Sequence, residues 1–356
     1  MDRLRIAQVA PPWFAVPPTG YGGAEWVVSL LTEGLVDCGH DVTLFASGGS
    51  RTAARFHCTF DVAPSAEIGD PIVELRHLVQ AYDRWREFDI IHDHTALGLL
   101  AGATLPVPVV HTVHGPATER MYALYRDLGP RVHLVAISRH QASTLPPNCA
   151  VDVIYNGIDV ARYPFSEQHG DYLLFVGRMS PEKGPVQAVE IAKRAGLPLR
   201  MLIKVNEQPE KEYFESAVLP AMEGADVHIQ YQAPHEEKAE AYRGALATLF
   251  PIQWPEPFGL VMTESMATGT PVIAFRNGSA PEVIEHGKTG FLCDDVDSAV
   301  EATRHLRELD RKHSRERVEV HFGSALNVLR HEALYRRILG IDRIDSAGID
   351  RDALTA

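Results

Sequence analysis

The sequence contains one local pattern twice, a strand that leads through a glycine-containing loop into a helix. In the first copy an apolar strand at 4–10 leads through a loop rich in proline and glycine into a helix at 24–38. In the second copy a strand at 172–176 leads through residues 177–184 into a helix at 185–195. Such units build parallel sheets covered by helices, and ligands bind in their loops. A chain of 356 residues suits two such domains.

Short apolar runs and helical periodicity predict the remaining elements. The predicted strands are 41–46, 88–92, 108–113, 131–137, 151–155, 199–205, 227–231, 247–251 and 271–275. The predicted helices are 71–85, 212–222, 238–245, 260–267 and 314–339, and residues 47–69 are expected to be irregular. The prediction divides the chain into a first domain (1–165), a second domain (166–313), a C-terminal helix (314–340) and a tail (341–356).

Charge and cysteine usage argue against several classes of protein. The formal net charge of −13 disfavours nucleic acid as the main partner. The first 165 residues carry 17 Asp/Glu against 12 Lys/Arg, so this half gives no reason to expect docking on anionic lipid. The four cysteines form no C-x-x-C pair, which disfavours a zinc ribbon or a disulfide framework. Because no apolar run suits a signal peptide or a membrane span, a cytoplasmic protein is expected.

Two glutamates flank the start of one predicted helix. Pro257 and Gly259 break regular structure, so Glu256 lies on a loop, and Glu264 lies about one turn inside the helix at 260–267. The N-terminus of a helix attracts anions, and carboxylates accept hydrogen bonds from hydroxyl groups. A sugar nucleotide has this distribution of groups, with a diphosphate between two sets of hydroxyls. The alternative is that both glutamates are solvated surface acids.

The two loops of the repeated pattern contain candidate ligand contacts. Arg178 and Lys183 lie between a strand and a helix, where two cations can neutralise a diphosphate; two solvated surface cations are the alternative. In the first domain Gly22 and Gly23 allow the backbone to approach a phosphate or sugar closely. A tight turn into a helix explains these glycines equally well, and the loop does not fit G-x-G-x-x-G.

Histidines and aspartates suggest metal sites at first sight. His92 and His94 flank an aspartate at the end of a predicted strand, but no further ligand stands nearby. The D-x-D sequence at 295–297 leads into a helix and predicts a helix N-cap. We therefore expect no metal. His114 precedes a glycine at a strand's carboxyl end, where α/β enzymes place working residues, and packing at the strand end is the alternative, favoured for His111.

Taken together, these motifs resemble those of the retaining family 4 glycosyltransferases. The resemblance covers nearly all of residues 1–340 and is most specific at 177–184 and 256–274. It includes the N-G-I-D sequence at 156–159 and the N-G-S-A-P-E sequence at 277–282. The resemblance implies an α/β fold of GT-B architecture, with two Rossmann-like domains facing across a cleft and a C-terminal helix that crosses back to the first domain.

The resemblance also implies roles for individual residues. The catalytic residues would be His114, Arg178, Lys183 and Glu256. The donor would be bound by Gly22, Gly23, Arg178, Lys183, Glu256, Phe258, Gly259, Leu260 and Glu264. Among these, Glu256 would contact the donor sugar, Glu264 would hold the ribose, and His114 would line the cleft near the transferred sugar. The roles of Lys204 and Trp254 stay open; Trp254 either packs on the sugar or fills the loop.

The resulting expectation is a retaining glycosyltransferase that needs no metal or other cofactor. A nucleotide-diphosphate sugar, by default a UDP-sugar because such donors are common in the family, would donate a hexose to a small soluble or saccharide acceptor. A phosphorylase-like enzyme would need a pyridoxal lysine that no motif marks, and an epimerase of the same two-domain plan is a further alternative. A dehydrogenase is disfavoured by the missing G-x-G-x-x-G, and a non-catalytic sugar-nucleotide-binding protein by the intact Arg178, Lys183, Glu256 and Glu264.

Overall fold

The computed structural model describes residues 3–20 and 22–341, which form two parallel β-sheets. The described strands are β1 (Arg5–Val9), β2 (Asp41–Ala46), β3 (Arg55–Cys58), β4 (Ile90–Asp93), β5 (Val109–Val113), β6 (His133–Ala136), β7 (Ala150–Val153), β8 (Leu173–Arg178), β9 (Leu199–Lys204), β10 (Val227–Tyr231), β11 (Ala247–Phe250), β12 (Val272–Phe275) and β13 (Gly290–Cys293). The first sheet has the order β3-β2-β1-β4-β5-β6-β7, and the second has the order β10-β9-β8-β11-β12-β13. These are the two Rossmann-like domains that the sequence implied.

Helices cover both sheets. The described α-helices are α1 (Gly23–Asp37), α2 (Pro71–Tyr82), α3 (Leu99–Gly102), α4 (Glu119–Leu128), α5 (Arg139–Ser143), α6 (Pro185–Ala195), α7 (Gln208–Tyr213), α8 (Leu219–Ala221), α9 (His235–Arg243), α10 (Leu260–Ala267), α11 (Ala280–Val283), α12 (Val296–Thr303), α13 (Arg311–His321) and α14 (Ser324–Ile338). A π-helical segment, Phe214–Val218, joins α7 to α8. The 3₁₀ turns are Ser65–Glu67, Trp85–Glu87, Gly129–Arg131, Val160–Arg162, Pro181–Lys183 and Leu306–Glu308.

The strand order of each sheet fixes where a ligand can bind. Each order reverses once, between β1 and β4 in the first sheet and between β8 and β11 in the second. Because every described strand pairing is parallel, the carboxyl ends of the strands share one edge of each sheet. Ligands of such folds bind in the crevice where the order reverses. The loops after β1, β4 and β11 contain Gly22, His94 and Glu256, and Arg178 is the last residue of β8.

Local sequence determines several elements directly. Helix α6 starts with a proline in its first turn and ends at Gly196, which adopts the left-handed conformation that glycine favours. Its bounds and those of α10 and β10 agree with the prediction. Strands β4, β5 and β11 are buried at every position, as strands covered on both faces must be.

The expected irregular connection at 47–69 contains an edge strand, so that prediction was wrong there. Strand β3 pairs with β2 in parallel register, with Arg55 opposite Thr43 and Cys58 opposite Ala46. The strand has four residues, most of them exposed, and lies at the edge of the sheet. Neither alternation nor an apolar run marks such a segment, and only pairing with β2 defines it.

The C-terminal segment is two helices instead of the single helix predicted over 314–340. The chain between α13 and α14 forms a parallel bridge with the first domain: the N–H of Ile158 donates to the carbonyl of Phe322, and the N–H of Ser324 donates to the carbonyl of Ile158. Because these backbone groups bond to Ile158, they are not available for the hydrogen bonds of a continuous helix. Phe322 is buried at 2% exposure between Tyr155 and Phe258. Packing of this ring therefore interrupts a helix that periodicity alone would continue.

The second of these helices, α14, packs on the first domain. Helix α13 packs on α10 of the second domain, where Arg315 donates to the carbonyl of Ala267 at 2.8 Å and also to the carbonyl of Tyr163 at 2.9 Å. Helix α14 packs on α1, where Gly34 leaves room for Val328, and its Tyr335 is buried against Gln8. The implied crossing helix is confirmed, with its start at residue 324. Most of the predicted tail, residues 342–356, lies outside the described residues.

Candidate active site

The glycine-rich loop of the first domain meets helix α10 of the second domain. Gly22 directly precedes α1, and Gly23 is the first residue of that helix. A Cβ atom built on Gly23 would lie 3.2 Å from Cδ1 of Leu260, so a side chain at this position would press against the other domain. The structure thus brings together two stretches that the sequence assigned to opposite sides of one cleft.

Glu256 lies on the loop between β11 and α10, and only one of its oxygens is engaged. Its Oε2 accepts hydrogen bonds from Nζ of Lys183 at 2.5 Å and from Nε1 of Trp254 at 2.8 Å. The Lys183 ammonium also lies 5.3 Å from the centre of the Trp254 ring, which adds a cation–π contact. Oε1 of Glu256 accepts no hydrogen bond from any residue that the structure describes, so it can accept one from a ligand hydroxyl. Trp254 therefore orients the Lys183–Glu256 pair.

Glu264 lies in the second turn of α10 and binds three donors. Its Oε1 accepts from Nζ of Lys238 at 2.8 Å and from the hydroxyl of Tyr163 at 3.0 Å, and its Oε2 accepts from the hydroxyl of Tyr242 at 2.9 Å. The side chain is 12% exposed, so it is not the solvated helix acid that was the alternative. Burial, and then the charge of Glu264, raise the pKa of both tyrosines, which keeps their hydroxyls protonated. A carboxylate offers about four acceptor positions, which leaves one on Oε2 for a ligand hydroxyl.

The residues between the two glutamates fix the N-terminus of α10. Gly259 has a φ of 79°, a left-handed conformation, and a Cβ atom there would lie 2.8 Å from Met262 and 2.9 Å from Phe250. The Phe258 side chain is 2% exposed, and its carbonyl accepts a hydrogen bond from Ser279 at 2.7 Å. The N–H groups of Leu260 and Val261 have no acceptor within the helix, whose first bonded N–H is that of Met262, and such a helix end favours an anion.

Arg178 stands at the carboxyl end of β8, beside Lys204 on β9, its partner in the strand register. The Arg178 guanidinium donates to Glu182 at 3.0 Å and to Glu210 at 3.3 Å, so two carboxylates orient it. Burial lowers the pKa of Lys204, and the charge of Arg178 adds to this, while Glu210 and Glu25 oppose it. Lys204 is therefore a partly buried lysine at the same sheet edge as Arg178, and the sequence did not reveal this position.

His114 follows β5 and is hydrogen-bonded within the first domain. Its Nε2 lies 2.9 Å from Nδ1 of His94. Burial, with smaller contributions from His111 and His331, lowers the pKa of His114 to about 3. The ring is neutral at physiological pH, so it acts as a hydrogen-bonding group and not as a cation. His111 is buried, with its Nδ1 3.8 Å from Oδ1 of Asp93, as expected for a packed strand-end histidine.

Two family models match consecutive parts of the chain. The model described as Glycosyltransferase Family 4 matches residues 21–162, and the one described as Glycosyl transferases group 1 matches residues 163–319. A D-inositol 3-phosphate glycosyltransferase of Thermobispora bispora is 30% identical over a region that covers 79% of this chain and 80% of that protein. The chain belongs to the family 4 glycosyltransferases.

Other proteins are similar to this glycosyltransferase in sequence or in fold. A D-inositol 3-phosphate glycosyltransferase of Pseudarthrobacter chlorophenolicus is 28% identical over a region that covers 77% of this chain and 78% of that protein. The structure of a sucrose-phosphate synthase from Thermosynechococcus elongatus superposes with a TM-score of 0.82 at 20% identity, covering 96% of this chain and 100% of that one. An Anabaena protein solved in complex with UDP-glucose superposes with a TM-score of 0.72 at 18% identity, covering 93% and 99%. The fold is therefore GT-B.

Two carboxylates that the sequence reasoning did not single out lie at the contact between the domains of this glycosyltransferase. The first, Glu282, belongs to the second domain and caps helix α5 of the first domain. It accepts hydrogen bonds from the N–H groups of Arg139 at 2.8 Å and His140 at 2.7 Å, and from the hydroxyl of Tyr155 at 2.8 Å. The signal for it was the P-E pair at the end of the N-G-S-A-P-E turn.

The second carboxylate, Glu25, lies in the first turn of α1, directly after the two glycines. Its side chain is 4% exposed, and burial raises its pKa to about 7, against the charge of Lys204 in the other domain. A Cβ atom built on Gly22 would lie 2.8 Å from Oε2 of Glu25, so this carboxylate lies directly against the glycine-rich loop. The G-G-A-E sequence was the available signal, but burial of the glutamate is a tertiary effect.

The motifs that suggested metal sites have structural roles. Asp295 caps helix α12 by accepting from the N–H of Ser298 at 2.8 Å, as predicted. His92 and His94 are buried and bound to neighbouring side chains. The described residues contain no group of three or more histidine, cysteine or acidic side chains arranged to hold an ion. In the same part of the chain no helix has the length and apolarity needed to cross a membrane.

Proposed function

We propose that this glycosyltransferase moves a hexose-type sugar from a nucleotide-diphosphate donor, a UDP-sugar by preference, to a small soluble or saccharide acceptor, with retention and without a metal or other cofactor. The observation that carries the proposal is the arrangement around α10. The Lys183–Glu256 pair precedes the helix, the free N–H groups lie at its start, and Glu264 lies one turn inside it. The order of these groups matches that of a sugar nucleotide. The cation and the helix end suit the diphosphate, and the two carboxylates suit the hydroxyls on either side of it.

The diphosphate would bind at the N-terminus of α10 and beside Lys183 and Arg178. In the described state each of these cations is paired with a carboxylate, Lys183 with Glu256 and Arg178 with Glu182 and Glu210. A diphosphate brings charge that competes for these donors, and Arg178 can meet it with a planar fork. The carboxylates hold the cations in position before the donor arrives, so less reorganisation is needed on binding.

The two glutamates would recognise the hydroxyl groups on either side of the diphosphate. The remaining acceptor position on Oε2 of Glu264 suits a ribose hydroxyl, because Oε1 is already occupied by Lys238 and Tyr163. The open Oε1 of Glu256 suits a hydroxyl of the donor sugar. This division agrees with the order of the two residues along the loop and helix.

The chemical task of the site is to stabilise the departing nucleoside diphosphate. The bond between the anomeric carbon and the diphosphate oxygen breaks, and the acceptor oxygen bonds to the same face of that carbon. The acceptor's proton passes to a donor phosphate oxygen, so no side chain is needed as nucleophile. Negative charge that develops on the leaving group falls on Arg178, Lys183 and the N–H groups of α10, which are the groups that lower the barrier.

A screen of donors followed by a transfer assay tests the proposal. Thermal shift across UDP-, GDP-, ADP- and dTDP-sugars should show one nucleotide class that raises the melting temperature, since a ligand that binds only the folded state stabilises it by mass action. The same sugar nucleotide should then release its nucleoside diphosphate when an acceptor mixture is added. No shift with any of these donors, or phosphate-dependent cleavage of a saccharide instead, would refute the proposal.

A further inference from the structure

A chain of buried hydrogen bonds leads from the crossing helix α14 to His114. We call it the histidine chain, and its members are Thr112, His92, Tyr335, Gln8, His94 and His114. The links are 2.7 Å from Thr112 Oγ1 to His92 Nε2, 2.6 Å from His92 Nδ1 to the Tyr335 hydroxyl, 3.2 Å from that hydroxyl to Gln8 Nε2, 2.9 Å from Gln8 Oε1 to His94 Nε2, and 2.9 Å from His94 Nδ1 to His114 Nε2. The first five members are at most 5% exposed.

The three histidines of this chain are neutral. Burial lowers the pKa of His92, His94 and His114, and the neighbouring histidines add to the effect. A neutral imidazole has one nitrogen that donates and one that accepts. Each ring therefore passes on the donor-to-acceptor direction of the hydrogen bonds: once one nitrogen is fixed as donor, the other must accept.

The amide of Gln8 sets this direction. Its Nε2 donates to the Tyr335 hydroxyl, so its Oε1 faces His94 and can only accept. His94 then carries its proton on Nε2 and offers the lone pair of Nδ1 to His114. The proton of His114 is consequently on Nε2, and its Nδ1 is a bare acceptor.

No other member of the histidine chain can fix the direction. Hydroxyls and imidazoles donate or accept as their neighbours require, and turning the amide by half a rotation would reverse every proton in the chain. Gln8 is completely buried on β1, between the two bonds that it makes. His114 Nδ1, at the other end, forms no hydrogen bond with the described residues, and the residue is partly exposed.

We propose that Gln8 and His94 are positioning residues that fix the tautomer of His114, so that its Nδ1 presents a lone pair to the cleft. The substrate would then need a hydroxyl or another donor at this position, and a deoxy or O-methyl analogue would leave a polar atom without a partner. The statement about the substrate rests on the proposed function. The statement about the tautomer does not, because it concerns the free protein.

Nuclear magnetic resonance of the full chain with ¹⁵N-labelled histidine tests the tautomer without any substrate. His114 is assigned as the ring whose signals disappear in His114→Asn. We expect its Nε2 to carry the proton and a coupling across the hydrogen bond to an unprotonated Nδ1 of His94. A proton on Nδ1 of His114 overturns the proposal, whatever the enzyme's activity.

Variants then test the role of Gln8. Gln8→Met keeps the volume and removes both hydrogen bonds, so the His114 signals should show two tautomers and kcat/KM should fall on the order of tenfold. The matched control is His77→Gln, which alters a buried histidine of α2 outside the histidine chain and should leave the His114 signals unchanged. A folded Gln8→Met protein with the single wild-type tautomer overturns the assignment of Gln8. If Gln8→Met does not fold, the hydrogen-bond coupling in the wild-type protein decides, since its absence refutes the His94–His114 link.

Discussion

Replacing Glu264 by glutamine should weaken binding of the free nucleotide strongly, because this carboxylate is embedded in three hydrogen bonds. Lys238 and Tyr163 already donate to Oε1, and Tyr242 donates to Oε2, so an added ribose hydroxyl uses the last acceptor position. An amide nitrogen cannot accept a hydrogen bond from the ribose hydroxyl. The variant also removes the negative charge that strengthens this hydrogen bond. Hydrogen bonds to charged groups contribute about 1.5–3 kcal/mol, which corresponds to a loss of roughly 10- to 100-fold in affinity.

The same change at Glu256 should have the opposite profile. Glu256 holds Lys183 at 2.5 Å, and glutamine at this position releases an ammonium that a diphosphate can use. Binding of the free nucleotide should be unchanged or tighter in Glu256→Gln. Binding of the intact sugar nucleotide should weaken by about tenfold, since the open Oε1 is the predicted acceptor for a sugar hydroxyl.

Isothermal titration calorimetry separates these effects. Wild type, Glu264→Gln and Glu256→Gln are titrated with UDP, or with the diphosphate that gives the largest thermal shift, and then with its sugar derivative. Glu301→Gln is the control, because it removes a carboxylate paired with Arg304 on the exposed surface of α12. Equal losses for both ligands in both variants would refute the division of roles between the two glutamates.

Four further outcomes are expected. Arg178→Ala and Lys183→Ala should each lower turnover by on the order of a hundredfold, about 3 kcal/mol of barrier, in a steady-state assay; near-normal turnover in both excludes a role in stabilising the leaving group. Transfer should survive EDTA, and loss with chelation that manganese restores would contradict metal independence. His114→Ala should reduce transfer more than donor binding. Since the pKa of His114 is lowered to about 3, its titration should cause no change in the pH–rate profile of the wild-type enzyme between pH 5 and 8. The pKa of Glu25 is raised to about 7 from an ordinary 4.5, so its contribution to stability is fully present below pH 4.5 and is lost as the pH rises through 7. In thermal melts the melting temperature of Glu25→Gln relative to wild type should therefore be higher at pH 8 than at pH 4. An equal difference in melting temperature at both pH values would contradict the assignment.

The sequence determined the elements whose signals are local. The helices α6 and α10 could be placed to the residue because apolar spacing and flanking glycine and proline act within a few positions of the chain. The loop that follows Arg178 and the loop that carries Glu256 were found in the same way, since each follows a short apolar strand. The candidate site could therefore be located before any contact within it was known.

Only the tertiary structure decided how the site is connected, because the decisive contacts join residues far apart in sequence. Lys183 meets Glu256 across 73 positions, and Glu264 meets Tyr163 across 101. The break before α14 arises in the same way, from a bridge between Ile158 and Gly323 that no local pattern announces. Local periodicity reports which face of an element is buried, but not which side chain of another element covers it. For that reason the sequence predicted the carboxylates and cations of the candidate site, and the fold determined their partners.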